Sequence, residues 1–237
     1  MRLLDELYTK RPCGSRTMAT RLSWARAAPV NRKRVQRLMR RMGLCGIAPR
    51  RRRSPPTKPH KVFPYLLRGR KITMPNEVWC SDITYIPMAG GFMYLVAVMD
   101  WYSRCILSWE LSNTLDTAFC LNALKGALEA HGQPQIFNTD QGSQFTSEAW
   151  INCLQERQIA ISMDGRGRAL DNVFIERFWR SLKYEDIYLK DYDSVFSLYR
   201  GIQSYVAYYN HERPHQGLQK RTPAGVYADR PPGVSTA

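Results

Sequence analysis

The feature that most constrains the fold is a near-continuous apolar run at residues 91–100, GFMYLVAVMD. A strand with one face in water alternates polar and apolar residues, so an uninterrupted run predicts a strand that is covered on both faces. Strand-like segments flank it at 78–88, VWCSDITYIPM, and at 104–111, RCILSWEL. Three consecutive strands with a buried centre need helices packed against both sides of their sheet.

The rest of the chain supplies those helices. Hydrophobic periodicity distinguishes helices from short strands. It predicts helices over 116–130, 147–158, 170–185 and 194–209, and strands over 135–140 and 159–163. This order predicts an α/β fold, a mixed five-stranded sheet flanked by helices. The chain of 237 residues has room for one large domain, or for one large and one small domain.

Positive charge is concentrated in the first third of the chain. Residues 1–75 contain 21 Lys and Arg but only two acidic residues, a balance of +19. Residues 76–237 contain 14 Lys and Arg against 18 Asp and Glu, a balance of −4. A basic segment joined to a nearly neutral one predicts a polyanionic partner, most often nucleic acid, because solubility alone does not require such segregation.

The basic segment begins with a predicted helical hairpin. Residues 31–43, NRKRVQRLMRRMG, have the apolar stripe of a helix, with Asn31 as its N-cap and Gly43 after its end. An earlier helix within 14–26 precedes a turn at Pro29. The pair is typical of a helix-turn-helix, whose second helix enters the major groove, although any small basic hairpin has the same pattern. The predicted DNA contacts on the second helix are Arg32, Lys33, Arg34, Arg37, Arg40 and Arg41.

A Pro- and Arg-rich segment, PRRRRSPPTKPHK at 49–61, follows the hairpin. It has too few apolar residues to build a core, so we expect an extended linker that lies along phosphates. Its predicted DNA contacts are Arg50, Arg51, Arg52 and Arg53. The predicted organisation is a helix-turn-helix-like module over 1–48, the basic linker over 49–72, an α/β core over 73–190 and a C-terminal helical extension over 191–237.

Three carboxylates are candidates for a functional site. Asp82 lies within the first strand, where an unpaired charge is unfavourable, and Asp140 ends the fourth strand before the turn DQGSQF. If these strands are neighbours, both carboxylates converge at one edge of the sheet, and Glu176 reaches them from a helix alongside. The alternatives are that Asp140 caps the next helix and that Glu176 forms a surface ion pair with Arg180.

Three carboxylates held close together repel one another, so a positive charge has to stabilise them. Hard divalent cations with oxygen ligands, Mg²⁺ or Mn²⁺, fit this requirement and keep positions open for phosphate and water. Two such ions about 3.5–4 Å apart activate the attacking oxygen and stabilise the leaving oxygen of an in-line displacement. An acidic site of this kind beside a basic segment therefore predicts phosphodiester chemistry.

The spacing of these residues resembles a known signature. Asp140 and Glu176 are separated by 35 residues and Lys183 follows Glu176 by seven, as in the DDE signature of retroviral integrases and related transposases. The surrounding motifs are WCSDITYI, NTDQGSQF, DNVFIERFWRSLKYE and, near the C-terminus, YNHERPHQGLQKRTPAGVY. Together with GSRTMATRL and VNRKRVQRLMRRMGL at the front, they resemble the orfB-type transposases of bacterial insertion-sequence family three over nearly the whole chain.

The resemblance implies an RNase H-like catalytic core in which Asp82, Asp140 and Glu176 form a metal-binding catalytic triad with two Mg²⁺ or Mn²⁺ ions. It implies that the protein nicks one strand at the end of a mobile element and uses the exposed 3′-hydroxyl in strand transfer. Arg180 and Lys183, on the helix face of the glutamate, would hold the DNA backbone, with assistance from Asn172.

The resemblance also carries expectations about partners and location. It implies homo-oligomers on DNA, and the family's active product usually carries an upstream helix-turn-helix and leucine-zipper segment joined by translational frameshifting. We therefore expect DNA, further copies of the chain and a fusion partner of this kind. The sequence has no apolar run long enough for a membrane span, and we expect a bacterial cytoplasmic protein associated with the nucleoid.

Several other patterns are weaker. HERPH at 211–215 satisfies the HExxH zinc motif, but Pro214 would interrupt the helix that the motif needs. Asp100 fits turn capping, and the six cysteines form no CxxC pair, which favours buried and inert thiols. Two functional alternatives remain: a non-catalytic DNA-binding protein, such as a repressor or decayed transposase, and a nuclease of the same fold that does not join DNA.

Overall fold

The computed structural model of the chain describes residues 1–44, 63–88, 90–164 and 172–229. Outside them lie Cys45 and the predicted linker contacts Arg50, Arg51, Arg52 and Arg53. No helix within the described ranges is both long and apolar enough to cross a membrane.

A five-stranded mixed sheet forms the centre of the molecule. Its strands are β1 (Val78–Met88), β2 (Gly91–Asp100), β3 (Ile106–Ser112), β4 (Ile136–Thr139) and β5 (Ala160–Met163). Their spatial order is β3-β2-β1-β4-β5, in which β1, β2 and β3 pair antiparallel while β4 runs parallel to β1 and β5 parallel to β4. The predicted mixed sheet is confirmed. β3 begins later than predicted because Arg104 has a φ of +63°, a left-handed conformation that a strand does not accommodate.

Helices cover both faces of the sheet and form the N-terminal module. They are α1 (Arg2–Lys10), α2 (Ser15–Ala25), α3 (Arg32–Arg41), α4 (Thr117–His131), α5 (Glu148–Gln155), α6 (Val173–Leu182), α7 (Tyr188–Lys190), α8 (Val195–His211) and α9 (Pro223–Ala228). A π-helical turn, Lys183–Ile187, continues α6, and a 3₁₀ turn, Gln216–Leu218, follows α8. All the helices predicted from the sequence are present, and α1, α7 and α9 add to them.

β2 is buried on both faces, as its apolar run predicts. Val96 and Val98 face a core that α4 and α5 complete, whereas Ala97 and Met99 face a core completed by α6 and α8. Burial of a valine or methionine side chain of this kind stabilises a fold by about 1.5–3 kcal/mol. Apolar packing therefore helps to hold α6 against one face of the sheet.

The N-terminal module has a core of its own. Leu4 of α1, Met18 and Leu22 of α2, and Val35 and Met39 of α3 are buried together. The predicted pair of helices is thus confirmed, and α1 completes it as a three-helix unit.

α3 begins and ends where the sequence predicts. The Asn31 side chain accepts a hydrogen bond from the Lys33 amide at 2.8 Å, and Gly43 beyond the helix has a φ of +69°, which glycine adopts without strain. The structure leaves the predicted DNA contacts of this helix exposed to solvent, namely Arg32, Lys33, Arg34, Arg37, Arg40 and Arg41.

A buried ion pair fixes the module to the core. Arg11 follows α1, and its guanidinium donates to Asp186 Oδ1 at 2.9 Å and to Ser204 Oγ at 2.8 Å. It also lies over the Tyr208 ring, 5.0 Å from the centroid. Asp186 belongs to the π-helical turn and its side chain is fully buried, so the module contacts the segment that directly follows α6.

Candidate active site

Asp82 and Asp140 come from neighbouring strands. In the parallel pair of β1 and β4, Cys80 lies opposite Asn138. Asp82 lies two residues after Cys80, and Asp140 lies two residues after Asn138. If the register continues, Asp82 and Asp140 are adjacent. The predicted neighbourhood of these strands is confirmed, and the sheet brings both carboxylates to the edge where β4 ends.

The Asp82 carboxylate is half-buried and is held by α6. The Trp179 indole donates from Nε1 to Asp82 Oδ2 at 2.8 Å. Burial, and after it the negative charges of Asp140 and Glu176, raise the pKa of Asp82 to about 7, against the opposing effect of the Trp179 hydrogen bond. Asp140 and Glu176 are thus close enough to Asp82 for their charges to influence its ionisation.

Asp140 closes the tight turn after β4. Its Oδ1 accepts a hydrogen bond from the Gly142 amide at 2.9 Å, and a Cβ on residue 142 would lie 2.9 Å from the same oxygen, so a larger residue there would displace the carboxylate. The residue retains solvent access, while desolvation by the surrounding protein raises the pKa of its carboxyl. The alternative in which Asp140 caps the next helix is wrong, because Ser147 caps α5 and its Oγ accepts from the Trp150 amide at 3.3 Å.

α6 carries Glu176 alongside these strands. Its residues Ile175, Phe178 and Leu182 are buried in the core, whereas Glu176 and Arg180 are exposed. Among the described residues Glu176 forms no ion pair with Arg180 or with another basic side chain, so the surface ion pair is absent from this part of the chain. Although Glu176 is exposed, desolvation by the surrounding protein raises the pKa of its carboxyl.

The chemistry of these side chains fits a hard divalent cation. Asp82, Asp140 and Glu176 offer carboxylate oxygens, the ligands that Mg²⁺ and Mn²⁺ prefer. Burial and, after it, the negative charges of Asp140 and Glu176 raise the pKa of Asp82, and a bound cation would oppose this shift. Within the described residues, no three His, Cys, Asp or Glu side chains are grouped as a formed metal site. The three residues therefore suit the ion in donor type and in charge, but their side chains are not arranged as a complete coordination sphere.

The basic and amide residues predicted to assist occupy different positions. Lys183 is half-buried, and burial lowers the pKa of its ammonium group while the negative charge of Asp82 opposes that shift. Arg180 is exposed. Asn172 is buried, and its Nδ2 donates to the Ser81 carbonyl at 3.4 Å. Asn172 thus ties the start of α6 to the residue before Asp82, which suits a positioning role better than a contact with DNA.

The structure adds Asp164 to this edge. β4 and β5 pair in parallel, and Asp164, directly after β5, donates its amide to the Thr139 carbonyl at 3.0 Å. Its Oδ1 accepts from Asn138 Nδ2, and its carbonyl accepts from Gln141 Nε2, both at 2.8 Å. Asp164 therefore braces the chain on either side of Asp140. The sequence marks Asp164 in the same way as Asp140, because each aspartate directly follows a short strand.

Other sequence patterns belong to the scaffold. Asp100 is buried and accepts hydrogen bonds from the amides of Ser103 and Asn76, each at 2.8 Å, which confirms turn capping. α8 ends at His211, so the two histidines of the HExxH pattern do not share a helical face. The cysteines that the structure describes are free and buried, as predicted; they are Cys13, Cys80, Cys105, Cys120 and Cys153.

Similarity to known proteins identifies the family. Sequence models of the integrase core domain match residues 72–169 and 157–223, and a model of an HTH-like domain matches residues 1–53. The chain is 33% identical to the transposase for insertion sequence element IS904 of Lactococcus lactis, over 81% of this chain and 79% of that one. It is 34% identical to the putative transposase InsK for insertion sequence element IS150 of Escherichia coli, over 82% and 70%. The chain belongs to the insertion-sequence transposases.

Solved structures confirm the fold of this transposase. The HTLV-2 integrase catalytic core domain in complex with magnesium covers 65% of this chain and 97% of that one, with a TM-score of 0.53 and 19% identity. The catalytic core domain of BIV integrase covers 65% and 95%, with a TM-score of 0.53 and 15% identity. The predicted RNase H-like core with an N-terminal helix-turn-helix-like module is thereby confirmed, as is the resemblance to orfB-type transposases of family three.

Proposed function

We propose that Asp82, Asp140 and Glu176 are the catalytic residues with which this transposase cuts and joins DNA. The chain is a DDE transposase, a polynucleotidyl transferase with an integrase core. The observation that most supports the assignment is the hydrogen bond from Trp179 to Asp82. It fixes the helix that carries Glu176 against the strand edge shared by Asp82 and Asp140.

Integrase-type cores use divalent metal ions, and for this site we propose two Mg²⁺ or Mn²⁺ ions. Asp82, Asp140 and Glu176 would hold them. When bound, the ions would activate the attacking oxygen and stabilise the leaving oxygen of the phosphodiester. Trp179 limits the orientations of the Asp82 carboxylate and Asn172 holds the start of α6 against β1, so both side chains preorganise the ligands.

The proposed reaction consists of two in-line phosphoryl transfers at the same carboxylates. In the first, a water oxygen bonds to phosphorus at the end of the element and the bond to the 3′-oxygen breaks, which leaves a 3′-hydroxyl. In the second, that hydroxyl loses its proton, bonds to phosphorus of a second phosphodiester and displaces another 3′-oxygen, which takes up a proton. Arg180 and Lys183 would hold the phosphates in line during both transfers.

DNA is the partner expected of an HTH-like module joined to an integrase core, and the charge distribution supports it. We propose that the exposed basic side chains of α3 contact DNA together with the linker arginines. We also propose that the protein forms homo-oligomers on DNA and that it acts as a fusion with an upstream segment. Its proposed place of action is the nucleoid in the cytoplasm of a bacterial cell.

A joining assay distinguishes this function from a repressor and from a nuclease. The purified chain is incubated with Mg²⁺ and a labelled DNA that carries the terminal repeats of the element. We expect joined products that require the metal. Binding without cleavage would identify a repressor, and cleavage without joining would identify a nuclease.

A further inference from the structure

A cleft of about 590 Å³ lies where the N-terminal module, α6 and the loop after α8 meet. Its described lining residues do not include Asp82, Asp140 or Glu176, so it is separate from the carboxylate edge. Its charged lining residues are Arg16, Arg104, Arg177, Arg180, Arg213 and Glu185.

The protein does not neutralise the positive charge of this cleft. Both oxygens of Glu185 are engaged by Arg213, at 2.7 Å from Nη2 and 2.9 Å from Nε. Arg16, Arg177 and Arg180 are exposed and form no ion pair with any residue that the structure describes. A concave surface with several uncompensated guanidinium groups favours an anionic ligand.

Neighbouring groups hold two of the arginines in place. Arg104 lies over the Phe174 ring, 3.2 Å from its centroid, and its Nε donates to the Trp101 carbonyl at 3.1 Å. Arg213 is fixed by its two hydrogen bonds to Glu185, which already occupy its Nε and Nη2 donors. Arg104 has no ion pair among the described residues, and a guanidinium that is already held loses less freedom when its remaining donors bind a phosphate.

We propose that this cleft binds the phosphodiester backbone of a DNA segment next to the one held at the catalytic carboxylates. The inference rests on the proposed function, because a DNA-joining reaction is what brings such a segment to α6. Arg177 and Arg180 follow Glu176 on that helix, whereas Arg16 lies in the first turn of α2. DNA in the cleft therefore contacts the N-terminal module and the catalytic helix together.

The layout of the cleft favours a polymer over a single anion. The guanidinium groups of the cleft that are not paired with a carboxylate come from three stretches of the chain, represented by Arg16, Arg104 and Arg177. Successive phosphates of one backbone can engage all three stretches, whereas one inorganic phosphate pairs with one or two guanidinium groups. The family acts on DNA, and guanidinium contacts to phosphates carry no sequence information, so binding is expected to be independent of sequence.

The test is the salt dependence of binding to a fluorescently labelled DNA duplex of arbitrary sequence, measured on the full chain without metal. Arg16→Ala/Arg177→Ala removes two charges from the cleft. The matched control, Lys125→Ala/Arg157→Ala, removes two exposed charges at α4 and after α5, on the other face of the sheet. We expect the slope of log K against log salt concentration to become shallower by about 1.8 in the cleft variant, about 0.9 for each lost phosphate contact, and to stay unchanged in the control.

Three results would overturn the proposal. One is a wild-type slope in the cleft variant, the second is an equal change in the control, and the third is a cleft variant that loses binding of an acidic peptide but not of DNA. The single variants Arg16→Ala and Arg177→Ala should each give about half of the change, and because both side chains are exposed, the thermal midpoints should match that of the wild type.

Glu176→Gln separates this inference from the proposed function. We expect this variant to keep the wild-type slope while it loses joining, because Glu176 does not line the cleft. If Glu176→Gln joined DNA normally, the proposed triad would be wrong. The slope of the cleft variant would still show whether the cleft binds DNA.

Discussion

At the scale of single residues, the ionisation of Asp82 is strongly opposed by its surroundings. Burial and the charges of Asp140 and Glu176 disfavour its carboxylate form, and the hydrogen bond from Trp179 compensates only in part. Its pKa of about 7 in the folded protein lies above that of aspartate in an unfolded chain, so ionisation of Asp82 destabilises the metal-free fold. A cation bound beside it would remove that penalty.

The stability of the metal-free protein should therefore depend on Asp82 as the pH rises. Below the unfolded pKa, about 3.9, the group is protonated in both states and has no effect. Between that value and about 7 the unfolded chain releases the proton more readily, so stability is lost as the pH rises. Asp82→Asn should not lose stability in this way. The wild type should lose about 1.4 kcal/mol of unfolding free energy for each unit of difference between the folded and unfolded pKa. Urea denaturation of both proteins at a series of pH values measures this loss. Parallel pH profiles for the two proteins would contradict the raised pKa.

The Trp179 indole should support catalysis through one hydrogen bond. Trp179→Phe keeps an aromatic ring but removes the donor to Asp82 Oδ2. A hydrogen bond to a charged group contributes about 1.5–3 kcal/mol, so we expect joining to slow by about tenfold or more. Trp150→Phe is the matched control, since Trp150 is buried and its Nε1 has no hydrogen-bond partner among the described residues. An equal loss in both variants would assign the effect to ring packing instead.

At the scale of elements, the continuation of α6 into a π-helical turn determines how three parts of the chain meet. The turn directs Glu185 toward Arg213 after α8 and Asp186 toward Arg11 after α1. π-helical turns are rare and occur frequently at functional sites. In this transposase the turn connects the helix of the proposed catalytic glutamate with the N-terminal module, so the position of the module depends on that helix.

Removal of Arg11 should loosen the module. Arg11→Ala leaves the buried Asp186 carboxylate with Lys190 and Tyr192 as partners. Removing one side of a buried ion pair destabilises a protein by about 3–5 kcal/mol. We expect a loss near about 3 kcal/mol, because Asp186 keeps two other partners. Arg2→Ala, which breaks an exposed ion pair within α1, should change nothing measurable. Thermal unfolding and limited proteolysis of the module provide the comparison, and identical behaviour of the two variants would argue against the anchor.

The elements that the sequence predicted are those with local signals. β2 follows from its apolar run and α3 from the cap at Asn31 and the glycine at its end. α1 was not predicted because it has no side-chain N-cap and buries only Leu4. The ion pair of Arg11 and Asp186 joins residues 175 positions apart, and no local pattern marks such a pair.

The candidate site was predictable in its acidic residues but not in their supports. Asp82 stands out because an unpaired charge within a strand is unfavourable, and Asp140 because it directly follows a predicted strand. Trp179 reads as an ordinary apolar position of an amphipathic helix, and its hydrogen bond depends on how α6 crosses β1. Asn172 and Asp164 support the site through main-chain contacts that only the folded register creates.

At the scale of the whole molecule, a basic module is anchored beside a nearly neutral catalytic core. The exposed face of α3 and the arginine cleft both carry positive charge, and the ion pair of Arg11 and Asp186 holds the module next to α6. In the proposed function, DNA bound by these basic surfaces would be kept close to the helix that bears Glu176. The basic surfaces would then supply affinity, and the carboxylates would supply the chemistry.

Binding of DNA by the whole chain should weaken steeply as salt is added. Each phosphate contact contributes about −0.9 to the slope of log K against log salt concentration, and the module, linker and cleft together offer several contacts. We expect a slope of about −5 or steeper by fluorescence anisotropy. A flat response would show that the basic third of the chain does not touch DNA.

DNA joining by Glu176→Gln tests the proposed catalytic triad most directly. The matched control is Glu129→Gln, which removes the same charge from an exposed position on α4. We expect Glu176→Gln to fold and bind DNA like the wild type but to join it more slowly by about 100-fold or more, while Glu129→Gln joins at the wild-type rate. Joining at the wild-type rate by Glu176→Gln would contradict the proposed triad.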